Sequence, residues 1–292
     1  MKLLLYNHKK IILFAAVLAF VFFTTVLWTI WENRTVGITT VNVQSKNIPA
    51  SFNGFKIAQI SDLHNAEFGD DNKQIIGLLK KEQPDIIILT GDLLDSHHTE
   101  SNIAVSFVKQ AMEIAPCYYV TGNHEAQLGE QYVSFEKQLE SCGVSILHNQ
   151  TATIERNGEF IQILGVDDPS FSESDSMFDL NAEILSTEIE RADAQKGYKI
   201  LLSHRPEAFD VYVEKGIDLV FCGHAHGGQF RLPFVGGLAA PNQGLFPKYD
   251  GGTYQENRTT MLVSRGIGNS IIPFRIGNQP ELVVAILHRN SI

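Results

Sequence analysis

The longest hydrophobic pattern in the 292-residue chain is an unbroken apolar run over 11–31, whose three polar residues are all threonines. A helix of this length covers about 30 Å, which is the thickness of the hydrocarbon core of a bilayer. The run is longer than the apolar part of a secretory signal peptide, although a cleaved signal is the alternative. We therefore predict a cytoplasmic N-terminus over 1–10 and a retained transmembrane anchor over 11–31.

Charges on either side of this run predict its orientation. Lys2, Lys9 and Lys10 precede it, whereas Glu32 and Arg34 nearly cancel after it. Because positive residues stay on the cytoplasmic side, we expect a single-pass protein of the cell membrane with its remaining residues on the extracytoplasmic side. The presence of cysteines in that part argues mildly against this orientation, since free thiols are less common outside a reducing compartment.

Beyond residue 36 the pattern changes to short apolar runs that alternate with helical periodicity. The runs are rich in β-branched residues and predict strands at 56–60, 85–90, 117–120, 161–166, 199–202, 219–222, 261–264 and 282–287. Helical spacing occurs at 72–82, 103–113 and 134–141, and the pair Asn157-Gly158 predicts a hairpin turn. This order is typical of an α/β fold with two packed, mixed sheets flanked by helices. We assign 32–55 to a connector with a first strand and 56–292 to one catalytic domain.

Composition and charge narrow the function classes. The chain has 23 basic and 33 acidic residues, a net charge of −10 that disfavours a nucleic-acid binding groove. Three cysteines are too few for a disulfide scaffold or a zinc ribbon. A metal site in this chain must therefore be built from His, Asp and Asn.

Five of the apolar runs end in polar residues that suit such a site. The clusters are Asp62-x-His64, Gly91-Asp92, Gly122-Asn123-His124-Glu125, His204 and Gly223-His224-x-His226. Loops at the carboxyl ends of neighbouring strands converge, so these side chains can meet in one cleft. Neutral imidazole and carboxylate oxygen suit Mn, Fe, Zn, Co or Ni. Taken singly, each residue has an ordinary alternative such as a helix cap, a turn or a structural histidine.

The five clusters in this order resemble the signature of the calcineurin-like metallophosphoesterase superfamily, and most closely its YkuE/YaeI-type membrane-anchored bacterial branch. The resemblance implies a four-layer α/β/β/α sandwich and two divalent metal ions. It also implies that Asp62, His64, Asp92 and His226 hold one ion, that Asp92, Asn123, His204 and His224 hold the other, and that Asp92 bridges them.

This resemblance also predicts a mechanism. Two ions can lower the pKa of a bridging water and supply hydroxide as the nucleophile near neutral pH. His124 is the candidate general acid or oxyanion stabiliser. Glu125 would orient or tune His124, with an exposed surface carboxylate as its alternative.

Two further segments carry weaker signals. His97 and His98 follow the Asp92 loop and could touch substrate, although a solvated turn is the simpler interpretation, and Asp95 could brace that loop. The segment 227–250 is long and mixes Phe, Pro and Gly. It could shape a substrate pocket, including one for an acyl or lipid-linked group, or pack its aromatic residues on the domain.

The leading hypothesis is a membrane-anchored, metal-dependent phosphodiesterase that acts on a phosphoester, which a lipid could carry. One alternative is a pyrophosphatase that acts on a nucleotide-activated lipid such as UDP-diacylglucosamine. A second alternative, from another class, is a catalytically silent metal-binding sensor or scaffold. The natural substrate, the native metals and the oligomeric state stay open at this point.

Overall fold

The computed structural model describes residues 2–172, 182–192, 196–269 and 271–290. Within them, the helices are α1 (Lys2–Asn33), α2 (Lys73–Glu82), α3 (Asn102–Met112), α4 (Asn123–Ala126), α5 (Glu130–Ser141), α6 (Ala182–Ala192) and α7 (Phe209–Glu214). Helix α1 contains one stretch, Lys10–Asn33, that is long and apolar enough to cross a membrane. The chain therefore has an N-terminal apolar helix in front of an α/β unit.

The first of two six-stranded sheets contains the strands from both ends of the α/β unit. Its strands are β1 (Gly37–Ser45), β2 (Lys56–Ile60), β3 (Ile86–Thr90), β4 (Cys117–Val120), β5 (Ser145–Ile146) and β16 (Glu281–Arg289). Their order is β1-β16-β2-β3-β4-β5, and only the β16–β2 pair is antiparallel. This sheet is therefore mixed, and β1 lies at its edge.

The second sheet contains β6 (Gln150–Arg156), β7 (Glu159–Gly165), β8 (Tyr198–Leu202), β9 (Leu219–Cys222), β14 (Gly252–Glu256) and β15 (Thr259–Val263). Its order is β14-β15-β9-β8-β7-β6, with antiparallel pairs at both edges. Between β9 and β14 lie two small ribbons, formed by β10 (Arg231–Leu232), β11 (Gly236–Gly237), β12 (Ala239–Ala240) and β13 (Gly244–Leu245). The predicted hairpin at Asn157-Gly158 joins β6 to β7.

Alternation of side chains along the strands produces three buried layers. In β2, Ile57 faces the second sheet whereas Ala58 faces α2 and α3. In β8, Ile200 lies between the sheets and Leu201 packs against α6 and α7. Two sheets buried on both faces, with helices outside each, form the four-layer α/β/β/α sandwich that was predicted.

Candidate metal centre

Five of the seven predicted donor residues lie just after strands in turns where the backbone is strained. Asp62, His64, Asp92, His224 and His226 all have a positive φ, between 45° and 66°. This left-handed conformation costs a residue other than glycine on the order of 1 kcal/mol or more, and such strain concentrates at functional sites. The surrounding fold therefore holds these five side chains in positions that the local backbone does not favour.

One group of donors joins the loops after β2 and β9. Asp62, His64 and His226 are buried and each offers one atom to a common point. The Nε2 atoms of His64 and His226 lie 3.2 Å apart, and Nε2 of His226 lies 3.4 Å from Oδ1 of Asp62. This geometry brings together three of the four residues predicted for one ion.

A second group lies beside the first. Asp92, His204 and His224 are also buried and converge on one point. Nε2 of His204 lies 3.1 Å from Oδ2 of Asp92 and 3.2 Å from Nδ1 of His224. Oδ1 of Asn123 is buried and has no hydrogen-bond partner within the described residues, so it is available as a further oxygen donor.

Asp92 lies between the two groups. Its Oδ2 atom is 3.1 Å from Nε2 of His204 in one group and 3.6 Å from Nε2 of His64 in the other. Its Oδ1 atom accepts a hydrogen bond from the backbone N–H of His124. One carboxylate oxygen thus faces both sets of donors while the other fixes the side chain.

Electrostatics keeps most of the imidazoles neutral. Burial lowers the pKa of His64 to about 4 and that of His226 to about 3, and it lowers the pKa of His224 well below its usual value. Burial also opposes the charged form of His204, but the charge and hydrogen bond of Asp92 raise the pKa of His204 to about 10. In turn, His204 outweighs the effect of burial on Asp92 and holds the pKa of that carboxyl well below its ordinary value.

A hydrogen bond on the outer side of His204 selects the nitrogen that faces the centre. Nδ1 of His204 lies 2.7 Å from the carbonyl oxygen of Thr90, to which it can only donate. Metal-binding histidines commonly donate their outer N–H in this way, which leaves the inner nitrogen as a ligand. Nε2 of His224 lies 2.9 Å from the amide oxygen of Asn242 and 3.0 Å from Nη1 of Arg205, and its Nδ1 atom faces His204.

The donor set fits divalent cations. Two carboxylates, four imidazoles and a buried, unpartnered amide oxygen are the ligands that borderline divalent metals prefer. Two imidazole nitrogens only 3.2 Å apart also repel each other unless a proton or a cation lies between them. The residues present therefore fit the predicted ions.

His124 lies at the edge of the centre and is only partly buried. Its Nδ1 atom accepts a hydrogen bond from the backbone N–H of Ser96, and its ring centroid is 4.6 Å from that of His64. A neutral imidazole that accepts at Nδ1 carries its proton on Nε2. His124 can therefore present a proton donor beside the candidate donors.

Glu125 is fully buried, so its alternative interpretation as an exposed surface carboxylate is wrong. The carboxylate accepts hydrogen bonds from the backbone N–H groups of Asp92, Gly122 and Leu94. Burial and the charge of Asp92 raise the pKa of Glu125 to about 7. These bonds tie the loop after β3 to the loop after β4, so Glu125 supports the position of Asp92.

The weaker candidates separate into two kinds. His97 and His98 are exposed, as a solvated turn would be. Asp95 is buried, lies 3.6 Å from Nδ1 of His64 and accepts a hydrogen bond from the backbone of His97, consistent with bracing of this loop. In the long segment after β9, Asn242 reaches the centre through His224.

Three residues around the centre were not predicted from the sequence. Arg205 donates to both carboxylate oxygens of Asp168, at 2.6 and 2.9 Å, and to Oδ1 of Asn242 at 2.8 Å. Arg205 and Asp168 are both buried, although each carries a charge. The sequence did offer one signal, because Arg205 directly follows the predicted donor His204. An arginine next to a buried site requires a partner of opposite charge, since charged residues are rarely buried unless paired.

A match to a protein-family model identifies the family to which this fold and its site belong. A model described as Calcineurin-like phosphoesterase matches residues 55–228, which include every predicted donor. The chain belongs to the calcineurin-like phosphoesterase family. This metallophosphoesterase is accordingly a hydrolase of phosphoesters, and its clustered His and Asp residues are groups that can hold divalent metal.

Individual relatives of this metallophosphoesterase cover most of its length. It is 30% identical over 263 residues to the uncharacterized metallophosphoesterase YkuE of Bacillus subtilis, covering 88% of this chain and 87% of the relative. It is 27% identical over 236 residues to the phosphodiesterase YaeI of Escherichia coli, covering 79% of this chain and 81% of that relative. It is also 30% identical over 270 residues to a Bos taurus transmembrane protein with metallophosphoesterase domain, covering 86% of this chain and 56% of that protein.

Proposed function

We propose that this chain is a membrane-anchored phosphodiesterase with a dinuclear metal centre. The observation that carries the proposal is the position of Asp92, whose Oδ2 atom faces both His64 and His204. In this assignment Asp62, His64 and His226 complete the ligands of one ion. Asn123, His204 and His224 complete those of the other.

When bound, two divalent ions would supply positive charge to the phosphoryl oxygens and lower the pKa of attacking water. His124 carries its N–H at Nε2, because Ser96 occupies its Nδ1 atom, and through that N–H it donates a hydrogen bond that stabilises negative charge on the leaving oxygen. Glu125 contributes indirectly, since it fixes the backbone N–H groups of Asp92 and Gly122.

Two comparisons support the finer parts of this proposal. The relative YaeI is named a phosphodiesterase, which favours diesters over monoesters as substrates. The bovine relative is named a transmembrane protein, which favours α1 as an anchor. The lysines before the apolar run favour an extracytoplasmic domain.

A matched pair of histidine variants tests the catalytic assignment. With Mn²⁺ and bis-p-nitrophenyl phosphate, we expect His124→Ala to bind metal like the wild type but to lose about 100-fold or more in kcat. His98→Ala is the control, because His98 lies near the same loop but is exposed, and its kcat should not change. Equal kcat values in both variants would contradict the role of His124.

Absence of hydrolysis of diesters, monoesters and nucleotide-lipid pyrophosphates by the wild type would favour the alternative of a catalytically silent metal-binding sensor or scaffold.

A further inference from the structure

Exposed apolar side chains are concentrated in two segments of the molecule. Outside α1, the described residues expose twelve large apolar side chains, and nine of these lie within 232–246 and 271–276. We call these nine the apolar rim: Leu232, Phe234, Val235, Leu245, Phe246, Ile271, Ile272, Phe274 and Ile276. Single exposed apolar residues are ordinary, but a cluster of this kind marks an interaction surface.

The two segments of the apolar rim are joined into one surface. The rings of Phe230 and Phe274 lie 5.4 Å apart between centroids. The backbone N–H of Arg231 donates to the carbonyl of Ile276 at 2.8 Å, and Nε2 of Gln229 donates to the carbonyl of Phe274 at 2.6 Å. The rim therefore has a fixed backbone rather than two independent loop tips.

The same surface is hydrogen-bonded to the end of α1. Asn33 donates to the carbonyl of Arg275 and accepts from its N–H, both at 2.8 Å. Oε2 of Glu32 accepts from the N–H of Gly277 at 3.1 Å. Only three residues, 34–36, separate α1 from β1, so the domain cannot move far from the point where the helix ends.

We propose that the apolar rim inserts into the headgroup region of the bilayer leaflet from which α1 emerges. The proposal rests on the proposed function of α1 as a membrane anchor. The segment 232–246 contains no charged residue, and Arg275, the one charged residue in 271–276, is fully buried. A lipid surface therefore engages the rim by burial of apolar area, as it does the apolar face of an interfacial helix.

Docking of the rim at the membrane places the candidate metal centre close to the lipid surface. In the sequence, Asn242 lies between the rim residues Val235 and Leu245. Its side chain contacts Nε2 of His224. One loop thus borders both the centre and the rim. Insertion of the rim holds the centre next to the lipid–water interface, where phosphoesters with acyl chains are accessible without leaving the membrane.

Lipid quenching of a fluorophore at single cysteines tests this proposal in the full-length chain. In a Cys142→Ser background, Phe234→Cys, Ile271→Cys and Val133→Cys would be labelled with an environment-sensitive dye, because Cys117 and Cys222 are buried. Val133 is the matched control: it is exposed, but it lies on α5, which packs at the β5 edge of the first sheet, opposite β1. The proteins would be reconstituted into phosphatidylcholine vesicles with and without lipid that carries a nitroxide near the headgroup.

We expect nitroxide lipid to lower the emission at 234 and 271 about twofold, in low and high salt alike, and to leave 133 unchanged. If nitroxide lipid lowers the emission at 234 and 271 no more than at 133, in a chain that floats with the vesicles, the rim proposal is overturned and the anchor is left intact. A chain that does not float with the vesicles would overturn the anchor itself. Energy transfer between labelled copies at 234 without lipid quenching would show that a second copy covers the rim instead.

Discussion

At the scale of single residues, charge pairing determines where the structure depends on pH. His148 lies outside the centre, with Nδ1 at 2.8 Å from Oδ1 of Asp167 and Nε2 facing Glu136. The hydrogen bond that His148 donates to Asp167, together with the charges of both carboxylates, outweighs burial and raises the pKa of His148 to about 9. The protonated imidazole thus links α5 to the loop after β7.

Because this folded-state pKa exceeds the unfolded value of about 6.5, the stabilisation is complete below pH 6.5 and disappears as the pH rises through 9. We therefore expect His148→Gln to lower Tm most at pH 6 and to have little pH-linked effect at pH 10. Thermal unfolding across this range measures the difference. His288→Gln is the control, since His288 contacts the uncharged amide of Asn42. A Tm difference that grows towards pH 10 would contradict the assignment.

The sequence identified the residues that cluster at this site better than the partners that support them. Asp62, His64 and His226 could be named because each follows an apolar run and carries a donor that metals prefer. Asp168 and Asn242 could not, because neither stands in a motif, and their partner Arg205 reaches them only after the chain has folded. Partners of this kind depend on three-dimensional position rather than on local spacing.

At the scale of elements, close contact between loops requires a glycine. A Cβ on Gly122 would lie 2.6 Å from the backbone nitrogen and 2.8 Å from Cγ of Asp92. We expect Gly122→Ala to displace Asp92 and to reduce both metal content and turnover at least about tenfold, as loss of support around a metal ligand does. Metal analysis and diester hydrolysis measure both effects.

Gly77→Ala provides the matched control for this substitution. Gly77 is exposed in α2, and a Cβ there would meet nothing within 4 Å. This variant should keep full metal content and gain about 0.5–1 kcal/mol in free energy of unfolding, because alanine favours a helix. Similar losses of metal in the two variants would show that the contact at Gly122 is unimportant.

Many elements with a strong periodic signal were predicted, but α6 was missed although its buried Leu185, Ile189 and Ala192 have helical spacing. The predicted strand 56–60 matches β2, and the predicted helix 72–82 differs from α2 by one residue. Helix α7 was not predicted, because six residues are too few to establish a helical period. Strand β14 was also missed: it is an edge strand of mostly exposed residues, so it lacks an apolar face.

At the scale of the whole molecule, the proposed orientation of α1 places the catalytic domain on the extracytoplasmic side of the membrane. Alkaline phosphatase fused after residue 292 should be active, because this reporter folds only outside the cytoplasm, and a fluorescent protein at the same position should be dark. Changing Lys2, Lys9 and Lys10 to Glu should lower the phosphatase signal, since it removes the positive charges that favour the cytoplasmic side. A bright fluorescent fusion in the wild type would reverse the proposed topology.

Loops from both sheets meet around Asp92, the carboxylate that we propose binds two ions. Elemental analysis of Mn²⁺-loaded protein, after removal of free metal, counts the ions per chain and tests this proposal. We expect about two ions in the wild type and fewer than one in Asp92→Asn, because this carboxylate faces both donor groups. A single ion in the wild type, or the same content in both proteins, would contradict it.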